Sequence, residues 1–311
     1  MALIQAPNAV VMIRPWTFLA NPETAVDNHF QDESNDTKND VALHARLEVD
    51  ALVELLQKHH ITVHLFDDFG DKNTPDSVFP NNWFSTHSGG HIALYPMYSV
   101  SRRREKRSDI IDMLKAQYRV QDVVDFSGLE WDNLFLEGTG AMVLDNINRV
   151  AYSAKSHRAS EVILERFCTL FMYEPMAFDT QDAHGDAIYH TNVMMCICSK
   201  MVLICSTMIK DTKRREAVLK RLVESGLTIV ELTMFQVENF AANAIELTGN
   251  GMSYLLMSER AKGVLTAKQT LEIEKYSTLL SVAIPTIELA GGSVRCMVAG
   301  VHLSPREKVN G

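Results

Sequence analysis

The chain has 311 residues, 46% apolar and 22% charged, with a formal net charge of −9. Its length allows a large core in one or two domains, and its acidic balance argues against nucleic acid or an anionic membrane surface, both of which need a basic face. No apolar run approaches the ~18–20 residues of a membrane span.

In chain order, the start Met1 to Pro7 carries no basic segment of an export signal, so none is expected. Ala9 to Arg14 reads as a strand, and residues 39–60 read as a helix. Between them Asn21 to Asp40 is polar and acidic, a lid or a surface loop. Four hairpins follow, each with turn chemistry between two apolar runs. The first runs from Trp83 through Ser88-Gly89-Gly90 to Pro96, and the second from Ala141 through Asp145 to Asn148 and on to Ser153. The third spans Val193 to Cys205 around Ser199-Lys200, and the fourth spans Ala244 to Met257 around Asn250-Gly251. Helical spacing comes after each, at 102–117, 157–172, 211–225 and 266–280. Short apolar runs such as Leu227 to Leu232 and Ile284 to Leu289 then read as strands, so the unit is β-β-α-β. The basic run Arg102 to Arg107 opens one helix and reads as a solvated face.

A fixed interval ties these units together. Asn82, Glu137, His190, Asn243 and Cys296 follow one another at intervals of 55, 53, 53 and 53 residues, each at the opening of a β-like run. A period of that length marks a repeat architecture. The last unit stops soon after Cys296, and the N-terminal strand and helix supply its missing parts. Closing the circle in this way completes five units and removes open sheet edges. A carboxylate, an imidazole and a thiol on one period are the parts of a nucleophile, a base and an orienter.

The five cysteines show no disulfide framework, and a cytoplasmic protein with reduced thiols is expected. Cys196 and Cys198, two apart on a strand, face opposite sides and suit no shared metal. No His or Cys pair has ligand spacing, so neither metal nor cofactor is expected.

Four motifs on that period carry a resemblance: Asp76-Ser77-Val78-Phe79-Pro80-Asn81-Asn82, Leu136-Glu137-Gly138-Thr139-Gly140, His190-Thr191-Asn192 and Gly291-Gly292-Ser293-Val294-Arg295-Cys296-Met297. The chain resembles the guanidino-group-modifying (pentein) superfamily of amidinotransferases, arginine deiminases and dimethylarginine dimethylaminohydrolases. Within it, the resemblance is nearest to the bacterial citrulline-utilisation hydrolases. It implies an α/β fold, a five-fold pseudosymmetric propeller of β-β-α-β units closed by the N-terminal strand, as one catalytic domain over 1–311.

The resemblance also implies roles. Cys296 is the nucleophile, attacking a planar guanidinium or ureido carbon as thiolate and expelling an amine. His190 protonates that amine and then activates water, and Glu137 orients His190. Asn82 and Asn192 depart from the family pattern, which places aspartates there against a cationic guanidinium. Two amides suit a neutral ureido group, since an amide both donates and accepts, whereas unpaired carboxylates beside a neutral ligand are costly. Phe79 packs beside the ureido plane, Asp76 holds an α-ammonium, and Lys155 stands where an arginine commonly grips the α-carboxylate, with Arg14 and Arg102 as weaker candidates. Gly140 replaces a usual second acid, and Asn243 looks structural.

The expected function is therefore citrulline hydrolysis to ornithine, CO2 and ammonia, on a small amino acid as partner, and a homo-oligomer is compatible with it. Two alternatives stay open: an amidinotransferase or a deiminase-type enzyme on a guanidinium, and a non-catalytic binding ring.

Overall fold

The computed structural model describes residues 3–24, 28–31 and 38–307. Five three-stranded sheets account for every named strand among them. Strands β1 (Ala9–Pro15) and β2 (Thr62–Asp68) belong to one sheet; β3 (Phe84–His87), β4 (His91–Leu94) and β5 (Asp122–Asp125) form the next. β6 (Val143–Asp145), β7 (Val150–Ala154) and β8 (Glu174–Phe178) form a third, and β9 (Met195–Ile197), β10 (Met201–Ile204) and β11 (Thr228–Glu231) a fourth. β12 (Ile245–Gly249), β13 (Met252–Ser258) and β14 (Thr278–Val282) form the fifth, and β15 (Ala299–Gly300) joins β1 and β2.

All five sheets share one topology. The first two strands pair antiparallel, and the second and third pair parallel. A parallel neighbour requires a crossover, and each crossover here contains a helix. In the last sheet the first strand is the C-terminal β15, while β1, the helix α1 (Lys38–Lys58) and β2 supply the rest. α1 buries Val41, Ala45, Val49, Leu52 and Leu56, a stripe at three- and four-residue spacing that packs with Val10 and Met12 of β1. Each sheet keeps two edges and none closes on itself, so the pairing of β1 with β15 completes a sheet without abolishing edges.

The fourth hairpin shows how the turns were legible. Asn250 and Gly251 both take positive φ, +48° and +77°, the conformation a tight two-residue hairpin needs. First strands from every sheet meet in one cavity of about 60 Å3, lined by residues of β3, β6, β9, β12 and β15.

Several expectations need correction. The segment 102–117 is two helices, Val100–Arg103 and Ser108–Gln117. Its basic run is a solvated face only in part: Arg104 is exposed and Arg103, Lys106 and Arg107 are half-buried, but Arg102 is buried, and Lys106 pairs with Glu130. The helix expected over 157–172 begins only at Glu161, because Ser156 and Ala159 form a bridge. The one expected over 266–280 covers Ala267–Ile273, and the following apolar residues Leu279, Leu280 and Val282 are strand β14. Ile284 to Leu289 is instead a helical turn, Pro285–Glu288, started by a proline whose missing N–H costs nothing at that position. Cys196 and Cys198 do not face apart. β9 ends at Ile197, Cys198 belongs to the turn, and the two sulfurs lie 3.9 Å from each other. The question of a lid over residues 21–40 falls partly on 25–27 and 32–37, outside the described residues. Among the described residues no helix is long and apolar enough to cross a membrane.

Candidate active site

The residues on the period lie just before first strands, not within strands. Four sit in or beside a single helical turn: Pro80–Asn82, Gly138–Ala141, Thr191–Val193 and Val294–Met297. Each turn feeds β3, β6, β9 or β15, and Asn243 feeds β12 through a bend. Cys296 lies inside the last of these turns. Because the first strands converge, the turns that enter them converge as well.

Glycines permit that approach. A Cβ on Gly140 would come within 2.3 Å of Asn82 Nδ2 and 2.8 Å of His190 Nδ1. The Asn82 amide and the His190 ring thus occupy the space where a side chain at 140 would stand. A Cβ on Gly292 would come within 2.7 Å of the Phe79 ring.

Glu137 and His190 are in contact. His190 Nε2 lies 2.8 Å from Glu137 Oε2, and the Tyr98 backbone N–H donates to Glu137 Oε1 at 2.9 Å. Burial raises the Glu137 carboxyl, but the Arg158 guanidinium, the hydrogen bond to His190 and the charge of Arg102 outweigh it and hold it at about 2. An ionised Glu137 can only accept, so Nε2 carries the ring proton and Nδ1 is left with its lone pair. Asn82 Nδ2 lies 3.4 Å from that Nδ1. Burial lowers the His190 pKa, opposed by Glu137, which keeps the imidazole neutral near pH 7.

Cys296 is buried and is approached by two side-chain amides. Asn192 Nδ2 and Asn243 Nδ2 each donate to Sγ at 3.4 Å, and Asn243 Nδ2 also reaches Asn192 O at 3.2 Å. Asn192 Oδ1 is buried with no hydrogen-bond partner.

A small cavity of about 20 Å3 joins these groups. Asn82, His190 and Cys296 line it together with Asp76, Phe79, Arg102, Arg158 and Tyr189. Asp76 Oδ2 accepts from Asn21 at 2.8 Å, while Oδ1 has no partner, and burial raises its pKa. Arg102 donates to both oxygens of Glu105, at 2.9 and 3.0 Å; its Nε also lies 3.7 Å from Asp76, and its Nη1 lies 3.8 Å from Glu137. Arg158 Nη1 lies 3.7 Å from Glu137, and its guanidinium stacks 5.0 Å from the Tyr189 ring. The segments Asn21–Thr24 and Asn28–Gln31 pass over this cavity, with Thr24 and Asn28 in its lining and Asn28 Nδ2 donating to Ala290 O.

Of the residues expected from sequence, Cys296, His190, Glu137, Asn82, Asn192, Asp76 and Phe79 come together here. Lys155 does not. It is partly exposed, pairs with Asp179 at 2.8 Å and Glu161 at 3.8 Å, and is absent from the cavity lining. The inward cation of that segment is Arg158, three residues on, because the bend at Ser156–Ala159 turns it to the core. Arg14 is likewise remote, held by Asp67 and Asp50. Asn243, read as structural, touches the sulfur; its place on the period was the signal. Among the described residues no group of three or more His, Cys, Asp or Glu is arranged to hold a metal.

The family model described as N,N dimethylarginine dimethylhydrolase, eukaryotic, matches residues 14–303. No curated protein matches by sequence. Unliganded AgrE superposes with a TM-score of 0.74 at 16% identity, over 97% of this chain and 40% of that one. The chain thus spans about two fifths of AgrE. The N-terminal domain of ArgZ, an arginine dihydrolase from the ornithine–ammonia cycle in cyanobacteria, gives 0.69 at 17% identity, over 95% of this chain and 99% of that one. A dimethylarginine dimethylaminohydrolase variant in an adduct with S-methyl-L-thiocitrulline gives 0.61 at 14%, over 94% and 99%. These matches agree with the pentein resemblance drawn from the motifs.

Proposed function

This chain belongs to the dimethylarginine dimethylhydrolase family, hydrolases of guanidino C–N bonds, and we propose from that premise that it hydrolyses a ureido amino acid through a covalent Cys296 adduct. Citrulline and water become ornithine, CO2 and ammonia. The Cys296 thiol proton passes to His190 Nδ1 as the sulfur bonds to the ureido carbon, and His190 gives that proton to the departing amine as the C–N bond breaks. Water then attacks the thiocarbamate, His190 accepts its proton, and the S–C bond breaks to free the thiol and a carbamate that loses CO2. Glu137 holds the imidazole through both steps. The chemistry uses side chains and water alone, and a reactive thiol suits a reducing compartment such as the cytoplasm.

One observation carries the ureido reading: the groups at the sulfur are amides. Asn192 presents a buried Oδ1 with no partner beside Cys296, ready to accept from a ureido NH2 without placing a second charge there. Arg158, with Arg102 behind it, takes the α-carboxylate, and Asp76 Oδ1 takes the α-ammonium. A second reading rests on that same Asp76 oxygen, which is equally able to meet a guanidinium, giving an arginine or methylarginine hydrolase. A transferase outcome differs only in the nucleophile that discharges the adduct.

The test is ammonia release from L-citrulline, L-arginine, methylated arginines and agmatine, with Cys296→Ala as control. Release from citrulline with ornithine as co-product is expected; release from arginine or a methylarginine alone overturns the ureido reading. Changing both Asn82 and Asn192 to Asp is expected to shift preference toward the cations, and unchanged preference in a folded variant counts against the amide argument.

Carboxylate recognition is tested separately. Arg158→Met is expected to raise KM at least tenfold, while Lys155→Ala leaves KM within about twofold, in keeping with a surface ion pair. The reverse ranking would return the role to Lys155.

We also read the five sheets as blades about one pseudo-five-fold axis in a single domain. Two facts support this: first strands of all five sheets line one cavity, and β15 needs β1 and β2 to complete its sheet.

A further inference from the structure

The cavity lined by the five first strands holds a second cluster that the chemistry above does not use. Arg295 and Cys296 are neighbours in one helical turn, but they line different cavities: Cys296 the one beside His190, Arg295 the one between the five first strands. Arg295 Nη1 donates to Val298 O at 3.1 Å, and among the described residues no carboxylate lies within 4 Å of the guanidinium. The acid that lines the same cavity, Glu246, is already occupied. Its Oε2 accepts from the Ser199 N–H and Oγ, both at 2.6 Å, and its Oε1 from Ser253 and Ser277 at 2.7 and 3.0 Å.

Two imidazoles share the space. His302 Nε2 lies 3.2 Å from Asn146 Nδ2 and 3.3 Å from Gln5 O, and His87 Nε2 lies 2.7 Å from Ser85 Oγ. His87 Nδ1 is buried with no partner. Burial together with mutual repulsion disfavours the charged forms: His302 sits at about 4, partly through Arg295, and His87 is held well below its ordinary value, partly through His302. Burial lowers Arg295 as well. All three basic groups would be relieved by one negative charge, and a half-buried guanidinium without an acid partner favours an anion beside it.

We propose that this cavity, with Arg295 as its cation and His302 and His87 beside it, binds a small oxyanion. A planar guanidinium bonded at Nη1 to Val298 O and paired with no carboxylate suits the paired oxygens of such an anion, and Thr86 and Asn146 add polar groups to the lining. Inorganic phosphate and bicarbonate share this chemistry. The second is the hydrated form of the CO2 that the proposed reaction releases, but the site itself does not rest on that reaction.

The experiment is calorimetric titration of the full chain with inorganic phosphate and, separately, with bicarbonate at constant ionic strength. At least one is expected to saturate a single site, and the tighter binder names the occupant. Arg295→Met is expected to weaken it at least tenfold, and Arg158→Met, which strips a cation from the other cavity, to leave it within about threefold. Loss in Arg158→Met with retention in Arg295→Met overturns the proposal, as does the absence of saturation by either anion. Should Arg295→Met fail to fold, a selenate soak of wild-type crystals decides: density beside Arg295 is expected, and density confined to the Arg158 cavity overturns the site.

Discussion

Cys296→Ser is expected to lower turnover by roughly a thousandfold or more while leaving the fold and its melting temperature nearly unchanged. The substitution removes one polarisable sulfur and puts a poorer nucleophile in its place, so the covalent step loses its attacking group. Structurally it is a small change: the side chain is buried, but its contacts are the Asn192 and Asn243 amides, which a hydroxyl can also accept from. Stability and activity should therefore separate. The measurement is ammonia release with wild-type-like circular dichroism as the folding control, together with mass spectrometry of acid-quenched enzyme. An adduct on the peptide containing Cys296 in the wild type and none in Cys296→Ser is the expected pair. Activity retained within tenfold would remove Cys296 as nucleophile, and with it the covalent route.

Glu137→Gln is expected to cost both activity and stability, which distinguishes it from the cysteine variant. The carboxylate is fully buried, accepts from His190 and from the Tyr98 N–H, and faces Arg158 and Arg102 within 4 Å. An amide of the same shape leaves two guanidiniums short of a counter-charge, and breaking a buried pair by removing one partner costs about 3–5 kcal/mol. The imidazole also loses the acceptor that fixes its tautomer, so kcat should fall by about a hundredfold or more. The pH dependence has a definite sign. The Glu137 pKa is depressed in the folded state, from an ordinary value of 4.5 to about 2. Its contribution to stability is thus complete above about pH 4.5 and is lost as the pH falls toward 2. Acid unfolding followed by fluorescence should show wild type losing stability through that window and Glu137→Gln with a shallower slope there. Equal slopes in the two proteins would mean that another group carries the acid sensitivity.

The two carboxylates around Arg102 show how far sequence reading reached. Asp76 was legible because it stands in a motif, six residues before Asn82. Glu105 was not, since a glutamate after three arginines in a charged run looks like a solvated residue. Only the fold reveals that Arg102 turns inward and takes Glu105 with it. Lys155 and Arg158 teach the same lesson in reverse. Both are cations in one short segment, and which faces the cavity depends on a bend at Ser156–Ala159 that no periodicity announces. Asn243 was visible as a member of the period, yet its contact with the sulfur depends on a tertiary approach of about 3.4 Å.

By itself the sequence determined the repeat unit, the hairpins with their turns, the completion of the last unit by the N-terminal segment, and the identity of the thiol, imidazole and carboxylate on one period. These are local or periodic properties: turn residues, alternation of apolar side chains and fixed spacing act within a few residues or recur at a constant interval. Tertiary structure alone decided which amides reach Cys296, which arginines line the cavity beside it, and that Arg295 faces a different cavity from its neighbour. It also decided that four of the five marker residues sit in or beside helical turns, and that Leu279 to Val282 is strand, although the expected helix ran to residue 280. Such outcomes depend on packing between units, where the direction of one side chain follows from the burial of groups some fifty residues away in the chain. Local propensity carries no information about that.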